Sequence, residues 1–282
     1  MEITTEPASA PPPTQSTSGS PLKLSVKQVS HRFGDFAALS NVNLEIKAGE
    51  FVCILGASGC GKSTLFNAVS GLLDISSGQI LLDGQNIGGK PGQVGYMLQK
   101  DLLLPWRTVL GNITLGASLT RGATSADRLH AAELARHYGL GDFLNHFPRA
   151  LSGGMRQRVA LMRTIAAGRD LMLLDEPFGA LDSQTRIGMQ QWLLQIWKEL
   201  SRTVMFVTHD VDEAIFLADR IIIMLPKPGR VGSTLDINIP RPRALDCLTS
   251  PAFVDTKRRI LEMLYSQATL HGVPGPLLRV PE

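Results

Sequence analysis

A glycine-rich segment between an apolar run and a helical pattern constrains this chain more than any other feature. It follows the apolar residues 51–55 and fills every position of the P-loop pattern G-x-x-x-x-G-K-[ST], in the strand-loop-helix order that the pattern needs. Its glycines allow backbone N–H groups to point inward at phosphate oxygens, and the following helix adds its positive N-terminal end. The residues predicted to cradle the phosphates are Gly56, Ala57, Ser58, Gly59, Cys60, Gly61, Lys62, Ser63 and Thr64.

Two side chains of this segment have separate predicted roles. Lys62 is expected to reach the outer phosphates as a point charge, and Ser63 to hold Mg²⁺. A glycine-rich strand-to-helix turn without a ligand is the alternative. A short glycine motif would leave that alternative open, but the complete pattern argues against it.

Composition limits the other functions that the chain can have. With 282 residues, 44% of them hydrophobic, it can bury one sizeable core, or one core and a small subdomain. The formal net charge is only +3 and no dense Lys/Arg block is present, which argues against a nucleic-acid partner. No apolar run approaches about 18 residues, and the N-terminus does not resemble a signal peptide. We therefore expect a cytosolic chain whose attachment to a membrane depends on a partner.

The pattern divides the chain into three parts. Residues 1–21 are rich in Pro, Ser and Thr and are predicted to be disordered. Residues 22–239 alternate strands with helices, which predicts an α/β fold with a mostly parallel sheet, with a helical subdomain inserted at about residues 100–155. Residues 240–282 follow as a C-terminal extension. Alternating residues and an Asp-Gly turn before the insertion predict additional, antiparallel strands.

Several boundaries can be predicted within this plan. A strand is expected over 22–29, then a loop over 30–35, and the helix after the P-loop is expected to end near residue 73 with Leu72 on its buried face. Further helices are predicted at 108–119, 126–137, 156–167, 183–200 and 253–265. Asp210 and Glu213 have the spacing of a helix cap with a reciprocal Glu.

Two carboxylates directly follow a buried strand. Asp175 ends the apolar residues 171–174, where the second protein ligand of a P-loop metal is expected. Glu176 comes next and is placed to act as the general base toward a water molecule. A simple cap or turn before Pro177 is the alternative, which the P-loop makes less attractive.

A second glycine motif makes a family resemblance specific. Residues 151–155 read Leu-Ser-Gly-Gly-Met, and the chain resembles the ATP-binding subunits of ABC transporters, whose signature loop is Leu-Ser-Gly-Gly-Gln. Ser152, Gly153 and Gly154 would form a second anion site at a helix N-terminus. The resemblance implies that this loop closes on the γ-phosphate of ATP bound by the opposite subunit. Met155 departs from the family's Gln, which leaves the backbone part of the site intact.

Other positions match the family over residues 22–225. The resemblance implies that Phe33 stacks on adenine, although Phe36 is nearby, and that Gln99 contacts Mg²⁺ and the attacking water. It implies that Asp182 lies in the loop that crosses the dimer interface, and that His209 contacts the γ-phosphate. The implied fold is a P-loop NTPase core with an antiparallel β subdomain and a helical subdomain, which uses ATP and Mg²⁺.

The resemblance also implies partners and a location. The chain would pair with a second ATP-binding subunit, expected to have the same sequence, and would sit with two membrane-spanning permease subunits on the cytoplasmic face of the membrane. An extracytoplasmic solute-binding protein would act with them, and no nucleic acid is expected. The alternatives are a non-transport ABC ATPase acting on ribosomes or DNA, and a small-molecule kinase, which has no reason to carry the signature loop.

A finer resemblance concerns the solute. Leu-Leu-Pro-Trp at residues 103–106, Ser-Gly-Gly-Met and Pro-Arg-Pro-Arg at 240–243 are similar to importers of the nitrate, sulfonate and taurine group. Importers of vitamin precursors, of the pyrimidine or riboflavin type, are the alternative. The apolar segment after Gln99 is proposed to line the groove where a coupling helix of the permease docks. Leu103 and Trp106 could equally belong to the core of the helical subdomain.

Overall fold

The computed structural model describes residues 20–270, with the backbone alone for 267–270. The predicted disorder of residues 1–21 therefore concerns residues that lie outside the described part, except for Ser20 and Pro21. The described strands are β1 (Leu22–Phe33), β2 (Phe36–Lys47), β3 (Phe51–Leu55), β4 (Ser77–Leu82), β5 (Gln85–Asn86), β6 (Gly95–Met97), β7 (Leu171–Asp175), β8 (Thr203–Thr208), β9 (Arg220–Leu225) and β10 (Arg230–Asp236). The α-helices are α1 (Lys62–Val69), α2 (Val109–Ile113), α3 (Leu115–Thr120), α4 (Ser125–His137), α5 (Gly153–Ala166), α6 (Ser183–Leu200), α7 (Val211–Leu217) and α8 (Pro251–Leu270).

The strands form two sheets. A six-stranded sheet has the order β10-β9-β3-β8-β7-β6 and is parallel except for β10 at its edge. A four-stranded antiparallel sheet has the order β2-β1-β4-β5. The predicted α/β class, with a mostly parallel sheet, antiparallel strands and helices between β6 and β7, is confirmed.

Strand β3 lies inside the large sheet and contributes to two apolar cores. Phe51, Cys53 and Leu55 point into a core formed with α2 and with helices α4 to α8. Val52 and Ile54 point into the other core, which contains α1 and the antiparallel sheet. Because side chains alternate across a strand, this arrangement covers both faces of the sheet and holds the start of the glycine-rich loop rigidly between them. In the described part of the chain, no helix is long and apolar enough to span a membrane.

Three predicted boundaries near the N-terminus are wrong. Strand β1 continues through Phe33, and a two-residue turn at Gly34 replaces the predicted loop over 30–35. A bulge near Gln28, whose φ is 52°, breaks the alternation that would have revealed the long strand. Helix α1 ends at Val69 because Gly71 has a φ of 75°, and Leu72 is 62% exposed rather than on a buried face.

Other differences concern the later helices. The predicted helix over 108–119 is divided into α2 and α3 at Thr114, whose hydroxyl donates to the Leu110 carbonyl. Helix α5 begins at Gly153, three residues before its predicted start. Helix α8 is longer than the predicted 253–265. Strand β10 was not predicted.

The predicted reciprocal cap at the start of α7 is also wrong. Asp210 caps the helix, since its carboxylate accepts from the N–H groups of Asp212 and Glu213. The Glu213 side chain does not reach back. It is buried and accepts from the Gln190 side-chain amide at 3.0 Å.

Candidate active site

The glycine-rich loop connects the buried end of β3 to α1. Lys62 is 6% exposed and turns back on its own loop, where its Nζ donates to the carbonyls of Gly56 at 2.7 Å and Ala57 at 3.1 Å. The Cys60 side chain is also buried, with its sulfur 3.8 Å from that nitrogen. The lysine therefore stands inside the loop, with its ammonium group bonded to two carbonyl oxygens.

At two positions of the loop, a residue larger than glycine would clash with its neighbours. A Cβ on Gly56 would lie 2.6 Å from the Met224 carbonyl oxygen, which belongs to the neighbouring strand β9. Gly61 has a φ of 94°, and a Cβ there would lie 2.9 Å from the Leu39 side chain. The backbone thus packs closely between the two sheets at both ends of the loop.

Asp175 lies next to the start of α1. The carboxyl is buried at the end of β7, and this burial raises its pKa, which a hydrogen bond from Ser63 opposes. The structure therefore brings together a hydroxyl and a carboxylate, which are oxygen donors of the kind that Mg²⁺ prefers. Mg²⁺ usually keeps several waters and substrate phosphate oxygens as ligands, so two protein donors beside a phosphate loop are a suitable set for it.

Glu176 lies at the centre of a small polar cluster. Gln99 donates from its Nε2 to Glu176 Oε2 at 3.1 Å, and His209 Nδ1 is 3.3 Å from Glu176 Oε1. The three residues follow β6, β7 and β8, which are parallel neighbours, so their side chains meet at the carboxyl edge of the sheet. The structure brings these three predicted residues together although 77 positions separate Gln99 from Glu176.

The backbone of Glu176 is held in an uncommon conformation. Its φ is 44°, which costs a non-glycine residue about 1–3 kcal/mol. Its N–H donates to the Val207 carbonyl at 3.0 Å, and its own carbonyl accepts from Gly179. These bonds over-determine the turn, so the carboxylate is presented to the edge of the sheet in a fixed direction.

The signature segment begins a helix. Ser152 is the N-cap of α5, and its hydroxyl accepts from the Met155 N–H at 3.3 Å. A Cβ on Gly154 would lie 3.0 Å from the Thr185 side chain, so this glycine allows close packing against the start of α6. Asp182 caps α6 by accepting from Thr185 at 3.0 Å. The signature segment and the Asp182 loop are therefore neighbours.

Other predicted residues lie away from the glutamate cluster. Phe33 is 53% exposed and makes an edge-on contact with His31, and Phe36 is 58% exposed. Among the described residues, no hydrogen bond or ion pair joins Ser152, Gly153 or Gly154 to the glycine-rich loop. Within one copy, the two predicted phosphate-binding segments are therefore not bonded to each other directly.

Residues that were not predicted connect the segment after Gln99 to α5, the helix that begins at the signature loop. Asp101 lies two residues after Gln99, and Arg156 Nε donates to its carboxylate at 3.2 Å. Arg163, seven residues further along α5, donates to the carbonyls of Asp101 at 2.6 Å and Leu102 at 2.8 Å. The seven-residue spacing places both arginines on one face of the helix, which was a signal available in the sequence.

The apolar segment after Gln99 is partly buried and partly exposed. Leu103 is 8% exposed and belongs to the core with the helices. Leu102 and Trp106 are 51% and 71% exposed. The core therefore claims Leu103, while Leu102 and Trp106 form an apolar surface beside the site.

Comparisons with known proteins agree with this arrangement. The family model described as ABC transporter matches residues 39–179. A putative ATP-binding protein of Brucella abortus is 43% identical over 249 residues, 87% of this chain and 94% of the relative. The taurine import ATP-binding protein TauB of Rhizobium johnstonii is 42% identical over 240 residues, 83% and 92% of the two chains.

A solved structure shows a similar fold. It is the dimeric structure of a post-hydrolysis state of the ATP-binding cassette MJ0796 bound to ADP and Pi, which matches with a TM-score of 0.65 and 33% identity. The match covers 77% of this chain and 100% of that one. On these similarities, and on a phosphate loop placed beside a strand-end glutamate, the chain belongs to the ABC transporter family, as an ATP-binding member.

Proposed function

We propose that this chain is the ATP-hydrolysing subunit of an ABC importer. Two copies would enclose two ATP molecules, and their closure and reopening would power uptake of a small anion of the taurine, sulfonate or nitrate class. The observation that carries the proposal is the grouping of Gln99, Glu176 and His209 beside the glycine-rich loop. The sequence identity of this chain to taurine import ATP-binding proteins supports the proposed class of solute.

The phosphates would be held by the loop and by Lys62. Its Nζ now bonds the carbonyls of Gly56 and Ala57, so it would turn outward by exchanging these for phosphate oxygens. Ser63 and Asp175 would hold Mg²⁺, with Gln99 as a further oxygen donor. When bound, the metal supplies positive charge against the phosphate oxygens.

Glu176 would act as the general base. Its carboxylate would take a proton from a water molecule as that water attacks the terminal phosphate. Gln99 donates to one oxygen of this carboxylate and His209 lies against the other, so they would keep it oriented from two sides. The backbone turn at Glu176 would also help to keep the carboxylate in this orientation.

The second half of each site would come from the other copy. Ser152 and the N–H groups of Gly153 and Gly154 stand at the start of α5, where an anion is favoured. Asp182 would cross between the copies, and the exposed ring of Phe33 would stack on adenine. Among the described residues, no hydrogen bond joins the two phosphate-binding segments within one copy, which supports a dimer as the hydrolytic unit.

Coupling to the membrane would pass through Leu102 and Trp106. Their exposed apolar surface would receive a helix from the permease, on the cytoplasmic side of the membrane. Arg163 bonds the Asp101 and Leu102 carbonyls, so a push on this segment would reach α5 and its signature loop. A solute-binding protein would act with the permease on the opposite side.

The test uses Glu176→Gln with Lys62→Ala as its control. Glu176→Gln should keep ATP binding, lose hydrolysis and trap a dimer in ATP, whereas Lys62→Ala should lose ATP binding itself. Affinity purification of Glu176→Gln with ATP, from its own cells in mild detergent, should recover a polytopic membrane protein by mass spectrometry. Ribosomal proteins or nucleic acid without a membrane partner would contradict the importer, and normal hydrolysis by Glu176→Gln would contradict the base.

The solute can be tested separately in cells. A strain lacking this gene should take up less labelled taurine, alkylsulfonate or nitrate, and the native gene should restore uptake where Glu176→Gln does not. Normal uptake of all three anions, with loss of uptake of a pyrimidine vitamin precursor or of riboflavin, would place the chain with the vitamin importers.

A further inference from the structure

Arg186 connects two loops that carry predicted site residues. It lies in the first turn of α6, and its guanidinium donates to the Leu181 carbonyl at 3.0 Å and to Asp210 Oδ2 at 3.4 Å. Leu181 directly precedes Asp182, and Asp210 directly follows His209. One planar side chain thus spans the loop expected at the dimer interface and the loop that carries the histidine.

Asp210 is itself tied to the residues around His209. Its Oδ1 accepts from Asp212 and Glu213 at 2.9 and 3.1 Å, and its N–H donates to Thr208 Oγ1 at 3.0 Å. One carboxylate oxygen therefore caps α7, while the other accepts from Arg186. A displacement of the Leu181 carbonyl would therefore move Arg186, and with it Asp210 and the neighbouring His209.

A small cavity lies among the same groups, next to Glu176 and His209. It has a volume of about 20 Å³, and its lining includes Glu176, Arg186, Thr208, His209 and Glu213. This volume suffices for one water molecule, given polar partners. Arg186 Nε is buried and has no hydrogen-bond partner among the described residues, so it is a free donor for that water.

We propose that Arg186 is a positioning residue that couples the Leu181–Asp182 loop to His209. This inference rests on the proposed function, because it assigns Arg186 to the same hydrolytic reaction. The guanidinium can bond both loops at once because its donors diverge in one plane, whereas a lysine offers a single nitrogen. When the loop takes its seat against the second copy, Arg186 holds Asp210, and His209 stays on Glu176.

The coupling predicts a specific kinetic change. Arg186→Met should lower kcat for ATP by about 3- to 30-fold, the range of coupling through such networks. The KM for ATP should change less than about 2-fold, since the glycine-rich loop and Phe33 bind the nucleotide. Arg186→Lys should lie between Met and the native chain, because it keeps the charge but not both bonds.

The matched control is Arg158→Met. Arg158 also packs against α6, with its Nε 3.3 Å from the Met189 sulfur and its guanidinium over the Trp192 ring, but it contacts neither loop. Its removal should leave kcat and KM unchanged. Thermal unfolding of every variant separates a kinetic effect from a loss of folded protein.

A second test asks whether Arg186 acts through Asp210. In the double variant Arg186→Met, Asp210→Asn, kcat should be no lower than in the slower of the two single variants. The reason is that both substitutions break the same connection, between Arg186 and Asp210. If Arg186→Met fails to fold, Arg186→Lys and this cycle built on lysine give the same answer.

The outcomes separate the two proposals. The inference is overturned if Arg186→Met and Arg186→Lys both keep the native kcat. Where Arg186→Met does not fold, a native kcat in Arg186→Lys alone overturns it. A rise in the KM for ATP in parallel with the loss of kcat would overturn it too. Multiplicative effects in the cycle would overturn it as well. In each of these cases Glu176→Gln still abolishes hydrolysis and the proposed function stands. If Glu176→Gln hydrolyses ATP normally, the proposed function itself fails.

Discussion

Arg243 is the most heavily bonded buried cation among the described residues, and removing it offers a sharp test of what holds the fold together. Its side chain is 6% exposed and donates to the carbonyls of Ile215, Phe216 and Ala218 at 2.7–3.1 Å. It also donates to Ile237 and Ile239 at 3.1–3.4 Å. Burial lowers its pKa to about 10, so the guanidinium stays charged at neutral pH.

The magnitude follows from what the substitution Arg243→Met leaves behind. Adding about 1.5–3 kcal/mol for each charge-assisted hydrogen bond would exceed the whole stability of many proteins, about 5–15 kcal/mol. The sum is too large because burying the charge costs several kcal/mol in the first place. What remains is about 1 kcal/mol or more for each helix-end carbonyl that loses its donor, and three such carbonyls end α7. We expect a loss of about 3–5 kcal/mol.

Urea denaturation followed by far-ultraviolet circular dichroism measures this loss. With a slope near 3 kcal/mol per M, the unfolding midpoint of Arg243→Met should fall by about 1 M or more. Arg259→Met is the control, because Arg259 lies exposed on α8 and its side chain forms no ion pair or hydrogen bond with the described residues. Equal midpoints for the two variants would refute the reasoning, since the carbonyls would then not need the arginine.

Two further predictions concern single residues elsewhere. Burial raises the pKa of the Glu213 carboxyl, so the folded state binds its proton more tightly than the unfolded state, and stability falls as pH rises from about 4.5 through the folded pKa. The thermal unfolding temperature of Glu213→Gln minus that of the native chain should therefore rise between pH 4 and pH 8. A difference that stays constant over this range would contradict the prediction. Leu103→Ala should lose about 2–4 kcal/mol in urea unfolding because Leu103 is buried, whereas Trp106→Ala should keep its stability and lose the membrane partner in co-purification. The reverse pattern would show that Trp106 is the structural residue.

The sequence predicts those parts of the fold that depend on local patterns. The residues over 183–200 form the expected helix with unchanged bounds, because their periodicity is uninterrupted and Asp182 caps the first turn. Strand β1 was predicted too short because a bulge near Gln28 shifts the alternation by one residue. The end of α1 depends on whether Gly71 adopts a positive φ, which the residue type permits but does not require.

Much of the candidate site was predictable for a different reason. The glycine-rich loop and the Asp175-Glu176 pair are contiguous, so the sequence shows their spacing directly. The contact of Gln99 with Glu176 depends on the order of the strands in the sheet, which no local pattern specifies. Arg186 was missed for the same reason, since its two acceptors follow from the way α6 and α7 lie together rather than from its neighbours in sequence.

Helix α7 shows how the fold and the site depend on each other. Its seven residues are too few to be stable as an isolated helix, so tertiary contacts must set its position. Arg186 bonds the Asp210 cap at one end, and Arg243 binds the carbonyls at the other. Since His209 directly precedes the Asp210 cap, we expect Arg243 to help keep the histidine beside Glu176. Arg243 is therefore expected to support the proposed hydrolytic site through α7, and a chain shortened before Arg243 should lose hydrolysis together with stability.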